Sequence, residues 1–197
     1  GLTQTVTVAD VAGNSATFTS PVVNLDKTAP VITDGSAATG PNGNGWYNSD
    51  VTVNYTATDG LSGIDAAAST LTIILSTEGE DQIVTGTAVD VAGNSVTFDV
   101  TGLNLDKTPP TVTGGPTIAA NASGWHNTDV TVDFTGVDGL SGIDFVTEGV
   151  TVSDEGADQI VIGVAIDKAG NSTNFLVTGI NIDKTAPTLT FGDFSIA

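Results

Sequence analysis

The sequence predicts an all-β chain built from tandem antiparallel β-sandwich repeats. Three observations carry that prediction. A marker heptad returns at nearly constant spacing, the runs between markers alternate apolar and polar residues, and Gly, Asp, Asn or Pro bounds each run. No stretch shows a helical period, and the abundance of Val and Thr favours pleated surfaces.

The marker Asn24-Leu25-Asp26-Lys27-Thr28-Ala29-Pro30 returns as Asn104-Leu105-Asp106-Lys107-Thr108-Pro109-Pro110 and as Asn181-Ile182-Asp183-Lys184-Thr185-Ala186-Pro187, at spacings of 80 and 77 residues. Other signatures recur between markers in the same order. Gly45-Trp46-Tyr47-Asn48 matches Gly124-Trp125-His126-Asn127, and Asp59-Gly60-Leu61-Ser62-Gly63-Ile64-Asp65 matches Asp138 to Asp144. Glu78-Gly79 matches Glu155-Gly156. The turn Asp90-Val91-Ala92-Gly93-Asn94 matches Asp167 to Asn171, and an earlier copy runs from Asp10 to Asn14. The pattern divides the chain into the closing hairpin of a preceding repeat (1–25), complete repeats at 26–105 and 106–182, and the start of a following repeat (183–197). The chain opens without Met in mid-pattern and reads as an excerpt of a longer protein.

Strands follow from period-two alternation. Val51, Val53, Tyr55 and Ala57 alternate with Thr52, Asn54, Thr56 and Thr58, and Val130, Val132 and Phe134 repeat the pattern. Val96, Phe98 and Val100 alternate with Thr97, Asp99 and Thr101. Segments 70–75, 82–89, 148–152 and 159–166 are further β-rich runs. Several short strands with turn signals in an 80-residue repeat indicate a small sandwich.

The Asp-Lys-Thr-Ala-Pro linker, the Ala-Thr-Asp-Gly-Leu-Ser-Gly segment and the Asp-x-Ala-Gly-Asn turn together resemble the bacterial immunoglobulin-like tandem repeats of large extracellular, adhesin-type surface proteins. The resemblance covers all but the divergent tail. It implies immunoglobulin-like sandwiches, an extracellular or cell-surface location, and a spacer role. In immunoglobulin strand order, 51–58 is strand B, 82–89 is F and 95–104 is G.

Charge narrows the function classes. There are 23 Asp and Glu against 4 Lys and Arg, a formal net charge of −19. Such a surface repels nucleic acid and anionic membranes, and it keeps an extracellular protein dispersed. Cys is absent, so no disulfide staples the fold.

In the assumed strand order, the linker and the loops after B and F meet at one end of each sandwich. That gathers Asp26, Asp59, Asp65, Asp90 and Asn94 at one junction, and Asp106, Asp138, Asp144, Asp167 and Asn171 at the next. Two carboxylates ~5 Å apart repel by about 3 kcal/mol at an effective dielectric near 20. Calcium would relieve this, since it takes about 6–8 oxygen ligands in irregular geometry. With no Cys and one His, zinc and copper are poor candidates. The competing reading makes each acid a turn residue that accepts local amides.

The remaining residues are weighed the same way. Trp46 and Trp125 are either sugar-stacking platforms or covers over the open edge of each sandwich. His126 stands where the other repeat has Tyr47, so it reads as a surface or packing residue and not a catalytic one. No nucleophile–base–orienter set can be assembled, and the expectation is a non-enzyme. Lys27, Lys107 and Lys184 sit beside linker prolines and read as solvated, not as isopeptide donors. The expected function is a non-catalytic rod whose partners are neighbouring repeats, with calcium at the junctions. The alternatives are a carbohydrate-binding module using Trp46 and Trp125, and a fibre subunit that polymerises with other copies by completing its partial terminal repeats.

Overall fold

Alternating Val and Thr form strands wherever turn residues leave room for them, and every regular element among the described residues is a strand. The computed structural model describes residues 1–190; residues 191–197, most of the divergent tail, lie outside them. An N-terminal hairpin pairs β1 (Thr5–Ala9) with β2 (Ser15–Thr19), with Thr7 opposite Thr17. No described helix is long and apolar enough to cross a membrane.

In the first repeat, β3 (Val31–Ala37), β4 (Val51–Thr58) and β5 (Thr72–Leu75) make one antiparallel sheet in that order, and β6 (Gly79–Val89) pairs with β7 (Ser95–Leu105) in another. The second repeat has β8 (Thr111–Pro116), β9 (Val130–Val137), β10 (Ile143–Val146), β11 (Val150–Val152), β12 (Gly156–Asp167) and β13 (Ser172–Ile182). Its sheets run β8-β9-β11 and β10-β12-β13. This is an immunoglobulin-like arrangement, with strands A, B and E facing C, F and G. The described residues group into two compact units. One comprises Gly1–Thr39, Val51–Leu75 and Asp81–Gly102. The other comprises Gly40–Asp50, Ser76–Glu80 and the chain from Leu103 onward.

The core of the second repeat sets Val130 and Val132 of β9 against Val161 of β12 and Val177, Ile180 and Ile182 of β13. Each such side chain contributes about 1.5–3 kcal/mol when fully buried. The central aromatic of strand B is held between glycines. Gly114 lies opposite Phe134 in register, and a Cβ on Gly163 would meet the Phe134 ring at 2.2 Å. In the first repeat Gly35 and Gly86 hold Tyr55 in the same way. Tyr55 also donates its O–H to the Val84 carbonyl at 2.6 Å and meets Phe98 edge-on.

The alternation read over 96–101 does not continue to the end of strand G. Inward positions in β13 step from Val177 to Ile180 across Gly179, which has φ +75, and the pairing with β12 shifts there. Gly102 makes the same step in β7, where Leu103 and Leu105 are buried. The repeats also differ after strand B. Ile64 and Ile143 are 79 apart, whereas Thr70 and Thr147 are 77 apart. The two extra residues turn Asp65–Ser69 into a local turn where the second repeat has the strand β10.

Candidate functional site

The F–G turn presets one carboxylate. Asp90 Oδ1 accepts the Asn94 amide N–H at 2.8 Å, and Oδ2 accepts the Asn94 side-chain amide at 2.7 Å. Gly93, at φ +92, supplies the left-handed residue the turn requires. Asp167 and Asn171 repeat these bonds at 2.8 and 2.9 Å. So do Asp10 and Asn14 in the N-terminal hairpin, at 2.8 and 2.7 Å.

The B–C loop presets a second. Asp59 Oδ1 accepts the amides of Leu61 and Gly63 at 3.1 and 2.8 Å, and Asp138 accepts those of Leu140 and Gly142 at 3.1 and 2.7 Å. The linker supplies the third. Asp26 accepts the amides of Thr28 and Ser62, each at 3.0 Å, and Asp106 accepts those of Thr108 and Ser141 at the same distance.

These turns converge. Carboxylate oxygens of Asp26, Asp59 and Asp90 lie within 4.8 Å of one another, as do those of Asp106, Asp138 and Asp167. Asp90, Asp106 and Asp167 are 1%, 0% and 1% exposed. Among the described residues the two ion pairs join other acids, so no Lys or Arg neutralises either trio. Charge-assisted amide bonds offset part of the repulsion. Hydrogen bonding from Ser62, then from the Thr28 amide, holds the Asp26 carboxyl below the usual carboxylate range against a smaller opposing effect of desolvation. The Ser62 amide is the firmer of that residue's contacts, since its hydroxyl is buried without a hydrogen bond of good geometry. Three carboxylates, an orphaned buried hydroxyl and no soft donor form a set that fits a hard divalent cation.

The other acids and amides expected at these sites are placed differently. Asp65 caps its own turn through the amides of Ala67 and Ala68 at 2.9 and 3.2 Å. Asp144 sits on β10, exposed, with Asn44 Nδ2 3.5 Å away. Neither belongs to a carboxylate trio, because the loop after Gly63 or Gly142 turns the chain away along strand C. Asn94 and Asn171 lie at the sites as donors. A carboxylate can only accept, so each presents its Nδ2 to Asp90 or Asp167 and also reaches a linker carbonyl.

A second arrangement grips the linker from its other side. Glu78 accepts the Lys107 amide and the Thr108 hydroxyl, while Lys107 Nζ donates to Asp50 at 2.8 Å and to the Ser76 carbonyl at 2.8 Å. Glu155 and Asp129 hold Lys184 and Thr185 in the same pattern. Lys107 and Lys184 are therefore paired where the sequence suggested solvated side chains; Lys27 is exposed. Glu78 and Glu155 recur in the sequence with no role legible there. Asp50 and Asp129, each just before strand B, were recurrent too.

The loop ahead of strand B completes this end. Tyr47 exchanges backbone bonds with Asn104 and Asp106, and His126 does the same with Asn181 and Asp183. Trp46 and His126 are buried, which makes His126 a packing residue and rules Trp46 out as an open sugar platform; Trp125 is half exposed.

No family model matches the chain, and no curated protein matches it. Among solved structures, the fibronectin(III)-like modules of CbhA from Clostridium thermocellum align with 81% of this chain and 100% of their own, at 13% identity and a TM-score of 0.34.

Proposed function

We propose that the chain is a structural extension segment of an extracellular surface protein, a rod of immunoglobulin-like repeats whose linkers are stiffened by calcium. The observation that carries this reading is the linker Asp106–Thr108. Asp106 is committed to the B–C loop ahead of it, through Ser141, while Lys107 and Thr108 are held by Glu78 and Asp50 behind it. A linker tied on both flanks has little hinge left, and Pro109 and Pro110 restrict it further. Stability in such an array sums over repeats and their interfaces. The cation joins the linker carboxylate to those of the B–C and F–G loops, with Asp26, Asp59 and Asp90 as ligands at one site and Asp106, Asp138 and Asp167 at the other.

Calcium titration of the chelator-treated chain, followed by calorimetry and small-angle X-ray scattering, tests both parts. The expected result is binding heat and a raised Tm, the stabilisation reaching about 2.7 kcal/mol at a hundredfold excess over Kd, with scattering from one extended particle. Absence of both heat and a Tm shift sinks the cation. Scattering that requires freely hinged repeats with calcium bound sinks the rod.

A further inference from the structure

Within the second compact unit, the loop ahead of strand B in the first repeat touches the F–G turn of the second. Asn42 Nδ2 donates to the Lys168 carbonyl at 2.8 Å, and Asn44 Nδ2 reaches the same oxygen at 3.2 Å. Gly170 lies so close that a Cβ there would sit 3.7 Å from Asn48 Nδ2. The recognised atoms are backbone, so any Asp-x-Ala-Gly-Asn turn offers them.

The corresponding loop of the second repeat is built alike. Asn42 Oδ1 accepts the amides of Asn44 and Trp46, and Asn121 Oδ1 accepts those of Ser123 and Trp125. Asn42 donates its backbone N–H to the Trp46 carbonyl, as Asn121 does to that of Trp125. What differs is occupancy. Among the described residues Asn121 Nδ2 has no acceptor, and Trp125 is 37% exposed where Trp46 is 7%. A shallow hollow next to this loop is lined by Ile118, Asn121, Trp125 and Thr128. The complementary half is open at the first site. There a cavity of about 570 Å³ is lined by Leu61, Ser62, Val91 and Ala92 beside Asp26. Their counterparts in the second repeat include Ser141 and Ala169, which are buried.

We infer that the loop Asn121–Asn127 is a docking surface for the F–G turn of a further repeat of this type, joined through the Asp183–Lys184–Thr185 linker. Asn121 Nδ2 and the Ser123 hydroxyl take the turn's first free carbonyl, as Asn42 and Asn44 take that of Lys168, and Trp125 is covered in the process. The contact uses no cation, so it stands or falls apart from the calcium sites.

The test is hydroxyl-radical labelling read by peptide mass spectrometry. The present chain is compared with one in which a copy of residues 26–105 follows Ile182, so that the Trp125 peptide stays unique in sequence. Labelling of Trp125 is expected to fall at least fivefold in the lengthened chain and to be restored there by Asn121→Ala. Unchanged labelling of Trp125 beside a cooperatively melting third repeat overturns the proposal. A second measurement needs no added repeat: Asn42→Ala with Asn44→Ala in the present chain is expected to raise Trp46 labelling severalfold. Trp46 remaining protected in that variant also overturns it.

Discussion

Asp26 and Asp106 hold the same place in successive repeats and accept the same two amides at the same distances, yet one is partly exposed and the other fully buried. The difference extends to their neighbours. Ser141 and Ala169 are buried, while Ser62 is half-buried and Ala92 exposed. Carboxylate geometry is thus set locally by each turn. Asp10 shows the same local setting, holding its bonds to Asn14 within its own turn. Burial is set by what lies over the site, and for Asp106 that includes the loop carrying Asn42 and Tyr47, whose carbonyl accepts the Asp106 amide. One motif therefore yields two sites of like geometry and unlike solvation.

The largest expected effect tests whether the cores are as alike as the turns. A Cβ at Gly163 would lie 2.2 Å from Phe134 Cδ1, and one at Gly86 would lie 2.6 Å from the Tyr55 ring. Overpacking a core costs typically about 1–3 kcal/mol, and Gly→Ala returns roughly 0.4–1 kcal/mol by restricting the unfolded chain. Gly163→Ala should lose a net of about 2 kcal/mol in urea unfolding and Gly86→Ala about 1 kcal/mol. Gly139→Ala, with open space around it, is the control and should gain roughly 0.4–1 kcal/mol. An equal gain at Gly163 would show that the Phe134 ring moves aside freely.

Removing the linker acids sharpens the contrast between sites. Asp106→Ala strips an acceptor from the amides of Thr108 and Ser141, and Ser141 is buried. A buried donor left unpaired costs about 1–3 kcal/mol. Asp26→Ala frees the Thr28 and Ser62 amides where water reaches them, so its loss is smaller. Calcium-free denaturation of the two variants checks the order. Equal losses would mean that the burial of Asp106 is energetically idle.

The same contrast explains what was legible in the sequence. Strands B, F and G and the acidic turns were readable because each is encoded within a few residues: alternation for the strands, and Asp, Gly and Asn at fixed offsets for the turns. The convergence of linker, B–C and F–G acids followed from strand order. Asp65 and Asp144 were not readable, because two added residues decide whether that stretch turns or extends, and in neither form does the carboxylate join the trio. The amide orientation of Asn94 and Asn171 depends on a carboxylate that only the folded turn brings within 3 Å. The unequal burial of Trp46 and Trp125 was hidden for another reason. Their local sequences are nearly the same, and the loop that carries Trp46 bonds, through Asn42, a turn more than a hundred residues away that no local motif encodes.

The smallest expected effect concerns acid, and it bears on the partly exposed copies. Asp26 is held below the usual carboxylate range by Ser62 and the Thr28 amide, and Asp10 by the Asn14 side chain and then its amide. With an unfolded value of about 3.9, the unfolded chain binds more protons in this range, so stability rises with pH there. The contribution of each group is complete above the unfolded pKa and is lost as pH falls through the lower folded pKa. Carboxyl-carbon NMR titration should place both midpoints below the ordinary Asp value, and Asp26→Asn should flatten the acid limb of the stability curve slightly. At the alkaline end the sign reverses. The hydrogen bond to Asp129 raises Lys184, so its contribution is complete below about 10.4 and fades as pH climbs through the raised folded value. An Asp26 midpoint at or above the ordinary value would mean that its amide contacts do not persist in solution, and that the open site, unlike the covered one, needs a neighbour to hold its geometry as well as its burial.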